Sequence, residues 1–210
     1  MKKALALALG IVFVLGFAGC EIFNPGVDYF PVKAGQIWTY ETVKHDSTYY
    51  VATDSSAVKD STWETTSKCV GETTLDNGTK VWEFENEAGK SYMAFEKETV
   101  DFYAAKADTT PLYSIPKKLE VGSKWDIPVN DTTNITWEAK STEDVTVTAG
   151  TYAGALKISV TTPGVEMENW QWWDKDAGTV KAWTKAEIDV PDVMFMLMET
   201  TTQLKSIATE

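Results

Sequence analysis
The chain has 210 residues, 43% of them hydrophobic, enough for one domain with a sizeable core. Its formal net charge is −12 and all 19 of its basic residues are lysine. Such a surface repels phosphate backbones and lacks the planar arginine fork for bidentate anion capture, which argues against nucleic acid as a partner.

Lys2 and Lys3 precede an uncharged, mostly apolar run from Ala4 to Ala18. At 1.5 Å per residue that run covers about 22 Å of a roughly 30 Å hydrocarbon core, so residues 1–19 read as an export signal rather than a spanning helix. The run ends in Phe17-Ala18-Gly19-Cys20, which resembles the lipobox of bacterial lipoproteins, with Phe17 where leucine is usual. The resemblance implies a diacylglyceryl thioether on Cys20, cleavage before it and acylation of the new amino terminus. The membrane is then a partner through the anchor, at ~0.8 kcal/mol per buried methylene. Glu21, where the inner-membrane retention signal has Asp, points to the outer membrane, facing the periplasm or the cell surface. Loss of Lys2 and Lys3 with the signal takes the net charge from −12 to −14. With Cys20 lipidated, Cys69 has no disulfide partner and reads as a small, reduced, buried residue of a strand.

Residues 20–34 form the lipidated cysteine and a tether broken by Asn24-Pro25-Gly26 and Pro31; the β domain occupies 35–210. GQIWTYETV (35–43) alternates, with Trp38 and Tyr40 on one face and Thr39 and Glu41 on the other. The polar stretch 52–61 reads as a loop or weak edge. A strand at 62–75 meets KVWEFE (80–85) across Asp76-Asn77-Gly78, where Asn-Gly predicts a type I′ turn. SYMAFE (91–96) and a strand at 99–104 follow, and 106–118, with Pro111 and Pro116, reads as a crossover. Strands resume at 125–129, 135–139 and 145–148, then ALKISV (155–160), ENWQWWD (168–174), TVKAWT (179–184) and a closing run over 193–207. No amphipathic helix is longer than a couple of turns. The pattern predicts an all-β domain: a single antiparallel, strongly curved sheet, or an open or half barrel of about eleven strands, with little helix.

Val32–Trp38 and Leu119–Trp125 share an x-x-x-Gly-x-x-Trp pattern, each opening a strand. A duplicated half-sheet and coincidence both explain it. The order FPVKAGQIWTYE, VTVTAGTYAGALKI, WWDKDAGTVKAW and a closing LKS-containing strand resembles a broad group of uncharacterised bacterial envelope lipoproteins over most of 30–207. The resemblance implies an open, curved sheet similar to lipoprotein-carrier half-barrels, and it carries no catalytic residues.

The chemistry-bearing motifs are weak. His45-Asp46-Ser47 are consecutive, and consecutive strand side chains alternate faces, so they cannot align as a triad. Asp174-Lys175-Asp176-Ala177-Gly178 resembles a calcium loop, but the glycine comes one position early and Lys185 takes the place of the bidentate acid. A turn explains it better. Asn77, Asn130 and Asn134 open sequons that a threonine-rich bacterial chain contains by chance. The sequence thus points to a non-enzymatic protein with no catalytic residues, no metal and no cofactor.

Two ligand surfaces remain, beside a third reading as a structural or assembly partner of other envelope proteins. In VMFMLM, Met194, Met196 and Met198 share one strand face while Val193, Phe195 and Leu197 share the other. An ordinary half-solvated strand has one polar face, so the extra apolar face implies barrel closure, a loop lid, or an apolar or amphipathic ligand such as a lipid. The expected site is Met194, Met196, Met198 and Trp172, methionine being adaptable to variable acyl chains. The alternative is a carbohydrate-binding or adhesion surface, in which Trp170 and Trp172 on one face and Trp183 on the next strand present exposed rings to sugars. The same rings would equally serve as core.

Overall fold
The computed structural model describes residues 29–130 and 132–210, so the export signal and Cys20 lie outside the described residues. The strands are β1 (Gln36–Tyr50), β2 (Ser55–Thr74), β3 (Lys80–Asn86), β4 (Gly89–Phe95), β5 (Thr99–Tyr103), β6 (Tyr113–Pro116), β7 (Lys124–Asn130), β8 (Thr133–Val147), β9 (Gly150–Thr161), β10 (Met167–Asp174), β11 (Gly178–Val190) and β12 (Met194–Thr209). They form one antiparallel sheet in the order β6-β5-β4-β3-β2-β1-β12-β11-β10-β9-β8-β7. The sheet curls into a nearly closed barrel with a single seam, where β6 and β7 face each other unpaired. The chain is thus two six-stranded meanders joined along β1 and β12, and the all-β, strongly curved expectation holds.

The twelve strands among the described residues match the expected number of about eleven, but several of their bounds differ, for local reasons. The polar 52–61 stretch is not a loop. After a single 3-10 turn at Val51–Thr53 it becomes the exposed first part of β2, held by pairing to β1 from Tyr50↔Ser55 onward. A ladder of backbone bonds overrides a composition with no apolar alternation. The expected crossover at 106–118 contains β6, a four-residue edge strand that ends on Pro116, which cannot donate to a ladder. The two strands expected at 135–139 and 145–148 are one, β8. Register shifts between Ala139 and Ser141 and between Glu143 and Val145 absorb the broken alternation. At the β2–β3 turn, Gly78 donates to the Leu75 carbonyl (2.9 Å) and carries positive φ (92°), whereas Asn77 does not. This is a four-residue turn closed by a left-handed glycine, not type I′.

The internal echo is structural. Gly35 and Gly122 both have positive φ (79° and 95°). Gln36 N–H donates to Lys33 and Ser123 N–H to Glu120, at the same spacing; Gly35 N–H donates to Cys69 and Gly122 N–H to Ala139, each at 2.8 Å. Cys69 and Ala139 each immediately precede the bulge of their hairpin, β2–β3 and β8–β9.

The barrel interior is packed with side chains. Trp38, Phe84, Met93, Ile115, Trp137, Leu156, Ile158, Trp173 and Leu204 are fully buried, drawn from both meanders. The last residues of the expected tether belong to this core: Tyr29, Phe30 and Val32 are buried. The Phe30 ring meets Phe102 of β5 (6.1 Å) and Trp173 of β10 (5.4 Å) edge-on, joining the two meanders across the interior.

Candidate site: the inner face of the β2-β1-β12-β11 extension
The hairpins β1–β2 and β11–β12 run beyond the packed core. β3 pairs with β2 only over Ser67–Thr74, so among the described residues the first part of β2 has no neighbour on that side. The registers set the inner-facing side chains into transverse rows. Nearest the core, Gln171, Ala182, Thr202, Thr42 and Trp63 form one row, in which the Thr42 and Thr202 hydroxyls hydrogen-bond (2.9 Å). The next is polar: Asn169, Thr184, Thr200, Lys44 and Ser61. Above it lie Met167, Ala186, Met198, Asp46 and Lys59, then Ile188, Met196, Thr48 and Ala57, then Val190, Met194, Tyr50 and Ser55.

Met194, Met196 and Met198 therefore do share a face, as the strand period requires, and it is the inner one. All three are half-buried, as are Ala186, Ile188 and Val190 beside them on β11. This apolar surface stands clear of the core that would otherwise cover it. The contribution of β11 was missed in the sequence, although its signal is plain: in TKAEIDV the inner Thr184, Ala186, Ile188 and Val190 alternate with Lys185, Glu187 and Asp189.

Trp172 is not part of this surface. Its cross-strand neighbours are Lys157 and Lys181, and Lys181 in turn opposes Gln203, which bonds Glu41 on the outer face. The Trp172 indole N–H donates to Glu143 (2.6 Å), and the ammonium groups of Lys157 and Lys181 lie over its ring at 5.2 and 5.1 Å. That hydrogen bond, followed by the Lys157 contact, holds the Glu143 carboxyl below its ordinary range. Trp170 and Trp183 are direct cross-strand partners on the same outer face; Lys157 covers Trp170 at 4.9 Å, and Trp183 donates to Glu199 (2.6 Å). The indoles are engaged by the protein's own charges instead of lying bare, as a sugar platform would have them. Trp173, across the bulge, is core.

The remaining motifs have local roles. His45 faces outward, its Nδ1 2.6 Å from Asp60 on β2, while Asp46 faces inward and bonds Lys44 (2.6 Å). The Asp174 carboxylate accepts the N–H groups of Asp176 and Ala177, closing a turn. Asn77 and Asn130 likewise accept the N–H groups of Thr79 and Thr132. Cys69 is fully buried, and burial pushes its thiol up to about 12. Among the described residues no cluster of three or more His, Cys, Asp or Glu is arranged to hold a metal. No family model, no curated protein and no solved structure matches the chain.

Proposed function
We propose that this chain is a lipid-anchored, non-enzymatic protein of the bacterial cell envelope that holds an apolar or amphipathic ligand on the inner face of the β2-β1-β12-β11 extension. One observation carries the reading: a continuous inner track of Met194, Met196, Met198, Ala186, Ile188 and Val190 is only partly buried and stands beyond the packed core. Contiguous apolar surface that a strongly charged protein leaves incompletely covered fits an interaction site. β1 rises about 3.4 Å per residue, so the track's far end, level with Tyr50, sits roughly 48 Å along the strand from Gln36, where the core-packed segment 29–34 leads into β1. An anchored protein would thus offer its ligand surface away from its own membrane. Among the polar groups of the inner rows, the Asp46 carboxylate accepts from Lys44 (2.6 Å), and no hydroxyl of those rows hydrogen-bonds to it.

Titration with the apolar fluorophore N-phenylnaphthylamine tests the ligand reading. Saturable binding is expected in the wild type. Met196→Glu, which places a charge at the centre of the track, should weaken it at least about tenfold while the circular dichroism stays unchanged. Equal binding by both proteins would overturn it. The anchor is tested separately: Cys20→Ser should abolish partition into the detergent phase, and an unmodified Cys20 in the native protein would refute lipidation.

A further inference from the structure
Resting on that reading, we infer that the ligand is an amphiphile with a neutral, hydroxyl-bearing head and a single long acyl tail, its head seated on Asn169 and Thr184. These two residues are direct cross-strand partners on the inner face, immediately below the row of Met167, Ala186 and Met198. Asn169 is 7% exposed, and its Oδ1 has no hydrogen-bond partner; the Thr184 hydroxyl beside it is likewise buried and unpartnered. Two adjacent unsatisfied groups at the foot of an apolar track are costly, each worth about 1–3 kcal/mol of desolvation when left unpaired. A ligand that supplies hydroxyls removes that cost, since a hydroxyl both donates to Asn169 Oδ1 and exchanges a bond with Thr184.

The surroundings select the head's charge. Lys44, two strands from Thr184 in the same row, is already matched by Asp46 Oδ2 at 2.6 Å, and the other Asp46 oxygen is itself buried without a partner. Among the described residues the unpaired lysine of the inner rows, Lys59, lies on β2, three strands from Thr184. An anion seated at Asn169 and Thr184 thus has no unmatched cation within its own row and meets Asp46 and a chain of net charge −12. A carboxylate, moreover, cannot donate to the Asn169 oxygen. The tail's length follows from β11: Thr184 to Val190 spans about 20 Å of track, the reach of a palmitoyl chain. Met198 and Met196, unbranched and flexible, can turn aside to admit it.

The test is displacement of bound N-phenylnaphthylamine by monopalmitoylglycerol and by palmitate, in the wild type and in Asn169→Leu and Thr184→Val. The wild type should favour monopalmitoylglycerol by about tenfold, the scale of one or two neutral hydrogen bonds, and each variant should lose most of that preference while still binding the dye. Both variants exchange an unpaired polar group for an apolar one of similar size, so they should fold at least as well as the wild type. A wild-type preference for palmitate, or a preference unchanged in both variants, would overturn the head-group assignment alone. Failure of the dye itself to bind would overturn the ligand reading beneath it.

Discussion
Single side chains show how context decides chemistry. Cys69 was legible from the count of cysteines and from strand placement, and its depth follows from the Gly35 N–H bond that seats its carbonyl against the start of β1. Its thiol, held protonated by burial, should react with a thiol reagent orders of magnitude more slowly in the native state than in urea. Fast native labelling would contradict its placement. Tyr40 and Tyr113 are both buried, yet they differ: the Tyr40 hydroxyl donates to the Thr179 carbonyl (3.2 Å), whereas the Tyr113 hydroxyl has no partner. Tyr40→Phe should therefore cost about 1 kcal/mol and Tyr113→Phe nothing or a slight gain, read from urea denaturation midpoints. Trp172 shows where the sequence misled. Strand alternation sets Trp172 and Trp173 on opposite faces, but no pattern in ENWQWWD says which face is inside.

The elements were legible wherever alternation was intact and obscure wherever pairing created it. β1 and β3 announce themselves by period, and β4 by a short apolar run. The first part of β2 is polar throughout and is a strand only because β1 lies beside it, and β8 hides its continuity behind two bulges. The Gly-x-x-Trp echo was visible as a pattern, but the matching bonds that make it a repeated strand-opening device depend on distant partners, Cys69 and Ala139. The two glycines should respond differently to alanine. Both have positive φ, which costs an L-residue roughly 1–2 kcal/mol. A Cβ at Gly122 meets nothing within 4 Å, whereas at Gly35 it lies 3.0 Å from the Glu210 carbonyl oxygen. Gly35→Ala should be the more destabilising of the pair, and equal losses would argue against the observed closure of β1 on β12. Phe30 acts at the same scale, tying β5 to β10, so Phe30→Ala should cost about 3–5 kcal/mol although it lies outside every strand.

As a whole, the molecule is a packed barrel below and an apolar awning above, and this division explains both its stability and its proposed use. The packed half carries an alkaline limit. Burial raises the ionisation of Cys69 from 9.0 to about 12, and burial likewise raises Tyr40 and Tyr113 above their ordinary 10.0. Groups raised on folding contribute stability that is complete below their unfolded values, so unfolding free energy should hold steady to about pH 9 and fall as pH climbs further. Glu143, lowered in the fold, acts in the opposite sense: its contribution is present at neutral pH and is lost on acidification through its lowered value. The curved antiparallel sheet was legible from strand count and turn spacing; which long strands would outrun the core was not, because it depends on where β3 stops pairing with β2. The awning is the account's central claim, and photo-crosslinking tests it most directly. A palmitoyl probe with a diazirine on its tail, irradiated on the protein and mapped by peptide mass spectrometry, should label the segments 184–190 and 194–198. Labelling centred on Trp170, Trp172 and Trp183 of the outer face instead would contradict it.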